Sequence, residues 1–204
     1  MTTGQRRRFS IAPFDLRASA EFAAGMLAKA KVRYALIGRV AVWTWVPARE
    51  QLLTKDIDFA VPSMDLPKLR RALAETHTKA VPLRIGGLAV RRGKVRVDFI
   101  DRHVDGFGPV FEEAVRAARS ANNVADVEGV RLAVVPPEHL IVMKMIPATD
   151  KDEDDVVRLL RSRDDLDYRS VRRLVRKHAG AATANRLDHL ARKAGRKDAP
   201  KTYL

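Results

Sequence analysis

The stretch LTKDIDFAV, residues 53–61, decides the fold. Ile57, Phe59 and Val61 alternate with Asp56 and Asp58, the period-two pattern of a strand with one apolar face. Side chains i and i+2 share a face, so the two carboxylates stand roughly 6–7 Å apart at their Cα atoms. Acids this close, flanked by Val and Phe, repel each other and resist burial. A divalent cation between them relieves both problems. Magnesium suits such a site, being held by one or two carboxylates plus substrate phosphates. The same pattern also fits a strand end whose acidic side simply faces water.

The flanking residues add parts in a definite order. Lys31 to Ile37 (KVRYALI) reads as a strand and runs into Gly38. The segment behind it, RVAVWTWV, is short and could be helix or strand. If helical, a glycine at the junction leaves backbone N–H groups unobstructed at a helix N-terminus, a ready phosphate site. A loop holding Pro47 then leads to the paired aspartates. A second alternating strand, KVRVDFID, puts Val95, Val97 and Phe99 on one parity and Asp98 on the other. Asp98 can therefore face the same site from a neighbouring strand, whereas Asp101 reads as an exposed strand terminus.

With these residues in view, YALIGRVAVWTWVPAREQLLTKDIDFAV resembles the nucleotidyltransferase fold of DNA polymerase beta. Within it the chain is most similar to the minimal and abortive-infection (AbiEii-type) nucleotidyltransferases. The shared order is strand, glycine step, helix, T-x-D-I-D, V-D-F, a helix ending in lysine, and K-D-x-x-D. Here these parts are Thr54-Lys55-Asp56-Ile57-Asp58, Val97-Asp98-Phe99, HLIVMKM with Lys144, and Lys151-Asp152 with Asp155. The resemblance spans roughly Phe14 to Leu160. It implies an α+β fold with a mixed twisted sheet packed against helices and a helical C-terminal extension. It also implies transfer of an NMP from an NTP to a hydroxyl acceptor. Asp56, Asp58 and Asp98 would hold two Mg²⁺ ions and carry the chemistry with Lys144. Gly38, Arg39, Thr54, Lys144 and Asp155 would bind the nucleotide. Lys144 reads equally well as a lysine snorkelling from the core edge.

The chain departs from the family pattern at three places. Arg39 replaces the usual second small residue; it could bind triphosphate through its fork or block the nucleotide. The loop before Asp56 is about three residues longer than the common pattern. Thr149 stands where an arginine often precedes K-D-x-x-D. A catalytically degenerate relative, acting as an RNA-binding or antitoxin-partnered module, is therefore the alternative to an enzyme. A toxin that modifies transfer RNA shares the first mechanism and differs in acceptor.

Composition sets bounds. At 204 residues with 46% hydrophobic content the chain can build a full core. The organisation expected is a basic arm at 1–13, a nucleotidyltransferase-like domain at 14–148 and a helical region at 149–204. With no Cys, disulfides and thiolate zinc sites are excluded. The five His are scattered without a ligand spacing. No apolar run reaches the ~18–20 residues needed to span a bilayer, so no membrane partner is expected. Arg6-Arg7-Arg8 is followed by Asp15, Arg17 and Glu21 rather than an apolar stretch. It reads as a basic arm of a cytoplasmic protein, not an export signal. The net charge of +14 and the cations beyond residue 168, opposed locally only by Asp188 and Asp198, suggest a polyanion such as RNA.

Helices are expected at Asp15–Lys31, Asp65–Thr76 (capped by Asp65, with Pro67 in its first turn), Val110–Arg119, Glu138–Ile146 and from Lys151 onward, where Gly180 separates the last two. Strands are expected at 81–85, 88–92 and 94–100, with a tight turn at 127–130 between two edge strands.

Overall fold

The computed structural model describes residues 16–200; the expected basic arm lies outside them. Its elements are α1 (Leu16–Lys29), β1 (Ala35–Ile37), α2 (Gly38–Trp45), β2 (Asp56–Ala60), α3 (Leu66–Glu75), β3 (Ala80–Pro82), β4 (Gly87–Arg92) and β5 (Val95–Ile100). There follow α4 (Gly108–Ser120), β6 (Val124–Val127), β7 (Val130–Ala133), α5 (Pro137–Met145), α6 (Asp150–Ser162) and α7 (Tyr168–Lys193). The ambiguous segment after Gly38 is helical. The fold is α+β, as expected.

Five strands form one mixed sheet in the order β1-β2-β5-β4-β3. Only β2 and β5 run parallel; the other pairings are antiparallel. A parallel pair needs a crossover, and here α3 and the β3–β4 hairpin supply it. Strands β6 and β7 pair separately around the expected turn.

Alternation decides which face is which. Ile57, Phe59, Val95, Val97, Phe99, Leu88 and Val90 are buried. Phe59 and Phe99 lie opposite in register and stack at 5.7 Å, and Tyr34 meets Phe59 edge-on. Such pairs contribute about 0.5–1.5 kcal/mol beyond their area. Helix α1 covers this face, its Phe22 lying under the Arg92 guanidinium at 4.6 Å. The opposite parity carries Asp56, Asp58, Arg96, Asp98 and Arg91.

The expected boundary at 148/149 falls between α5 and α6, and one hydrophobic core runs across it, joining Leu140 and Ile141 to Val156, Leu160, Val171 and Leu187. Helix α7 is broken by Gly180 (φ 86°, ψ 173°), where the two expected C-terminal helices meet. Among the described residues no helix is long and apolar enough to cross a membrane.

Two expectations fail on burial. Asp101 is not an exposed terminus but 1% exposed. The Gly86–Gly87 turn folds onto it, so closely that a Cβ at Gly86 would collide with its carboxylate. It accepts from the His103 backbone N–H and faces His103 Nδ1 at 2.8 Å. Asp65 holds the expected N-cap position of α3 but its side chain makes no capping bond; it is buried and binds Arg33 at 2.8 Å and Lys68 at 2.9 Å.

Helices α4, α5 and α7 meet at Glu113, which pairs with Lys177 at 2.7 Å and His178 at 2.9 Å. His139 stands 3.7 Å from the same carboxylate, with neither ring nitrogen hydrogen-bonded. Burial pushes the His139 pKa below its usual 6.5, against the pull of Glu113. The unfolded chain therefore binds this proton more readily. The neutral ring's contribution is full above about pH 6.5 and is lost as pH falls below it. Thermal melts of wild type and His139→Leu should diverge least at pH 8, with the wild type losing ground to the variant toward pH 5.5.

Candidate active site

The site lies where β2, β5, the start of α2 and the α5–α6 corner converge. Parallel pairing sets Asp58 directly opposite Asp98, and Asp56 opposite Arg96. Paired residues share a face, so three acids from two stretches stand together, as expected. Asp58 is half-buried and Asp98 nearly buried. Burial pushes the Asp58 carboxyl up to about 7, and repulsion from Asp98 and Asp56 adds to this while Lys144 and Arg96 oppose it. Asp98 is raised as well, first by burial, with Asp56 adding and Arg96 opposing. Arg96 Nε donates to Asp98 Oδ1 at 2.7 Å.

Gly38 adopts φ +69° where β1 passes into α2, a conformation that L side chains rarely adopt. A Cβ there would overlap the Asp58 carboxylate. The glycine is therefore required both for the turn and for the approach of α2 to the acid. No side chain caps α2 at Ile37, which leaves its first N–H groups available beside Asp58. Gly38→Ala should reduce turnover at least about a hundredfold by displacing Asp58, since a misplacement of ~1 Å can cost that much. Steady-state rates of the folded variant, checked by circular dichroism, measure it.

A cleft of about 470 Å³ opens beside the acids, lined by Arg39, Thr54, Asp56, Asp58, Lys144 and Asp152 among others. Arg39 is tied to α6, with Nε 3.3 Å from Asp155 and Nη2 3.3 Å from the Lys151 carbonyl. Lys144 Nζ lies 2.9 Å from both Asp152 and Asp155. Burial works against the Lys144 charge, but Asp155 and Asp152 outweigh it and hold the ammonium above its usual range. Thr54 marks the start of β2, its hydroxyl 3.4 Å from the Asp56 N–H. The loop before Asp56 is pinned by Trp43 Nε1 to the Leu52 carbonyl, by Gln51 to the Trp43 carbonyl and by Arg158 to Glu50.

Asp155 does not line the cleft. At 1% exposure it sits behind Lys144 and Arg39 and holds both, while its Oδ1 has no hydrogen-bond partner. Thr149 caps α6, accepting from the Asp152 N–H and donating to its carboxylate at 2.6 Å. Sequence reasoning misses Arg96. Its parity with Asp98 is visible in the chain, but its place opposite Asp56 depends on the β2–β5 register. The C-terminal cations also differ from expectation: carboxylates from other elements reach them, Glu113 at Lys177 and Glu153 at Arg186.

Among the described residues no three acids or histidines close on a point as a preformed metal cage; Asp98 is turned to Arg96 instead. The donor set nevertheless fits magnesium, with hard carboxylate oxygens that repel one another and room for phosphate oxygens to complete the shell.

Residues 79–193, more than half of the chain, match the family described as "Nucleotidyl transferase of unknown function (DUF2204)". The chain belongs to that family. The fold is similar to that of an antigenic nucleotidyltransferase-like protein from Paracoccidioides brasiliensis, at TM-score 0.53 and 15% identity over 87% of this chain and 88% of that one. Two structures of the antibiotic-resistance factor ANT(2'')-Ia, one of them in complex with adenylyl-2"-tobramycin, match at TM-score 0.43. Their identities are 14% and 13%, over 87% and 86% of this chain and 92% and 98% of theirs. Likenesses that weak carry no weight for this chain. No curated protein matches.

Proposed function

We propose that this chain transfers a nucleoside monophosphate from an NTP to a hydroxyl acceptor, and that the transfer depends on Mg²⁺. The observation that carries this reading is the register of Asp58 against Asp98, with Asp56 one step away and Gly38 packed on Asp58. Three clustered carboxylates, with Asp58 pushed up to about 7, are costly in a protein without a cation to bind. Asp56, Asp58 and Asp98 are the residues that would hold magnesium. When bound, the metal would neutralise triphosphate charge and make the acceptor hydroxyl more acidic.

The chain's own residues supply the rest. The uncapped N–H groups at the start of α2 receive phosphate oxygens. Lys144 and Arg39 line the cleft beside them and stabilise the charge that grows on the departing pyrophosphate. Asp155 keeps both cations in place from behind. Asp98, at the edge of the cluster, accepts the acceptor's proton as its oxygen attacks the α-phosphorus in line and pyrophosphate leaves. The order of motifs supports grouping the chain with the abortive-infection type.

Incubation with each α-labelled nucleotide, Mg²⁺ and total RNA tests the reading. Label should pass to an acceptor with wild type and not with the Asp56→Ala, Asp58→Ala double variant. Unchanged labelling by that variant would end the proposal. The degenerate-relative reading draws on Arg39 and on the basic C-terminal helices; Arg39 lines the cleft while paired with Asp155, and Lys177 and Arg186 of α7 are paired with Glu113 and Glu153.

A further inference from the structure

A second concavity, about 810 Å³, lies on the other side of Asp98, over β3, β4 and the β5 end. Its charged lining is Lys79, Arg91, Arg92 and Arg96, with His77 at the rim and no carboxylate. The sheet explains how these cations are arranged. Asp56, Arg96 and Arg91 are register partners across β2, β5 and β4. Continuing the β3–β4 register by one residue sets Lys79 beside Arg91, since Ala80 pairs with Val90. The result is a row of basic side chains, stepping outward from the acids at about 4.8 Å per strand.

Like charges directly opposite on a sheet destabilise it. Arg91 faces Arg96 in this way. Arg96 is partly compensated by Asp98, but Arg91 and Lys79 form no ion pair among the described residues, and Arg91 is exposed. Many C-terminal cations, by contrast, are tied to carboxylates: Arg172 to Asp188, Lys177 to Glu113, Arg186 to Glu153 and Arg196 to Asp198. Arg169, Arg176, Lys193 and Lys197 form no ion pair among the described residues either, but they lie on and after α7, whereas the β3–β4 row stands in register with Asp56.

We infer that this cleft binds a single-stranded nucleic acid, its phosphates running along the Lys79–Arg91–Arg96 row. On the transfer reading above, on which this assignment of the acceptor rests, the strand's terminal hydroxyl is delivered to Asp98. The row suits a linear polyanion of regular charge spacing better than a compact anion. Exposed Val81 beside it offers an apolar shelf for a base. A cationic acceptor would be repelled. Arg96 links the basic cleft to the acids, lining the cleft and bonded to Asp98.

The test uses a 5′-fluorescein-labelled single-stranded RNA 12-mer with a free 3′ hydroxyl, titrated with full-length protein in fluorescence anisotropy across a salt series. Lys79→Glu with Arg91→Glu should weaken binding at least tenfold and reduce the log–log salt slope by about 1.4, at ~0.7 for each phosphate no longer neutralised. Lys193→Glu with Lys197→Glu, of the same charge change, should leave both nearly unchanged. The inference is overturned if the α7-end pair carries the loss, if wild type shows no salt-dependent RNA binding, or if polyglutamate competes as well as RNA. Failure of label transfer with RNA binding still mapped to Lys79 and Arg91 would count against the catalytic reading and leave the cleft standing.

Discussion

Asp58→Asn should abolish nucleotide transfer and at the same time make the metal-free protein more stable at pH 8. The activity loss is expected to exceed about a thousandfold, the scale on which one preorganised electrostatic group contributes to a transition state. The stability gain follows from the carboxyl's surroundings. Its pKa stands near 7 in the fold, against 3.8 ordinarily. Its folded value being raised, the neutral acid costs the fold nothing below pH 4. The penalty then develops as pH rises and is complete above about 7. Three units correspond to roughly 4 kcal/mol, and the half-open cleft reduces this to about 1–3 kcal/mol. An amide cannot ionise, so the variant escapes the penalty. Melting with EDTA at pH 8 should show the variant several degrees higher, at ~2–4 °C per kcal/mol for a chain of this size. The gap should close by pH 5. A variant that is both inactive and less stable at pH 8 would mean that Asp58 is satisfied by partners other than a cation.

Asp155→Ala is expected to have the opposite signature, losing stability and activity together. Asp155 is fully buried and its Oδ2 receives both Lys144 and Arg39. Removing it strands two largely buried cations, and breaking a buried pair this way costs about 3–5 kcal/mol. Asp152 still holds Lys144 at 2.9 Å, so the lower end, about 3 kcal/mol, is expected. Melting should fall by about 6–12 °C. Turnover should fall too, because the cations beside the phosphates lose their fixed positions. If Asp155→Ala melts like wild type yet loses nucleotide affinity, Asp155 touches the nucleotide itself and is no mere support.

Much of the site is legible in the chain because a strand writes its faces into the sequence two residues at a time. The parity of Asp56, Asp58 and Asp98 announces one acidic face, and Gly38 marks the bend beside it. What parity cannot state is register. The opposition of Asp56 to Arg96 and of Arg91 to Arg96 arises from pairings between strands, so the basic row is invisible in the sequence. Burial at loop ends is equally hidden. Asp101 reads as terminal, but the Gly86–Gly87 turn, distant in sequence, folds over it. Asp155 is picked out by its motif, yet its place behind Lys144 rather than in the cleft depends on how α6 packs against α5. The C-terminal cations look unopposed because Glu113 and Glu153 stand far away along the chain.

A cation that the β2 and β5 acids would hold and share with a triphosphate is what we propose at the centre of the site. Calorimetric titration of the protein with non-hydrolysable analogues of the ribonucleoside triphosphates, with and without Mg²⁺, asks this most directly. At least one analogue should bind wild type only when magnesium is present, and the Asp56→Ala, Asp58→Ala double variant should bind none. Equal affinity with and without the metal, or undiminished binding by the folded double variant, would contradict it.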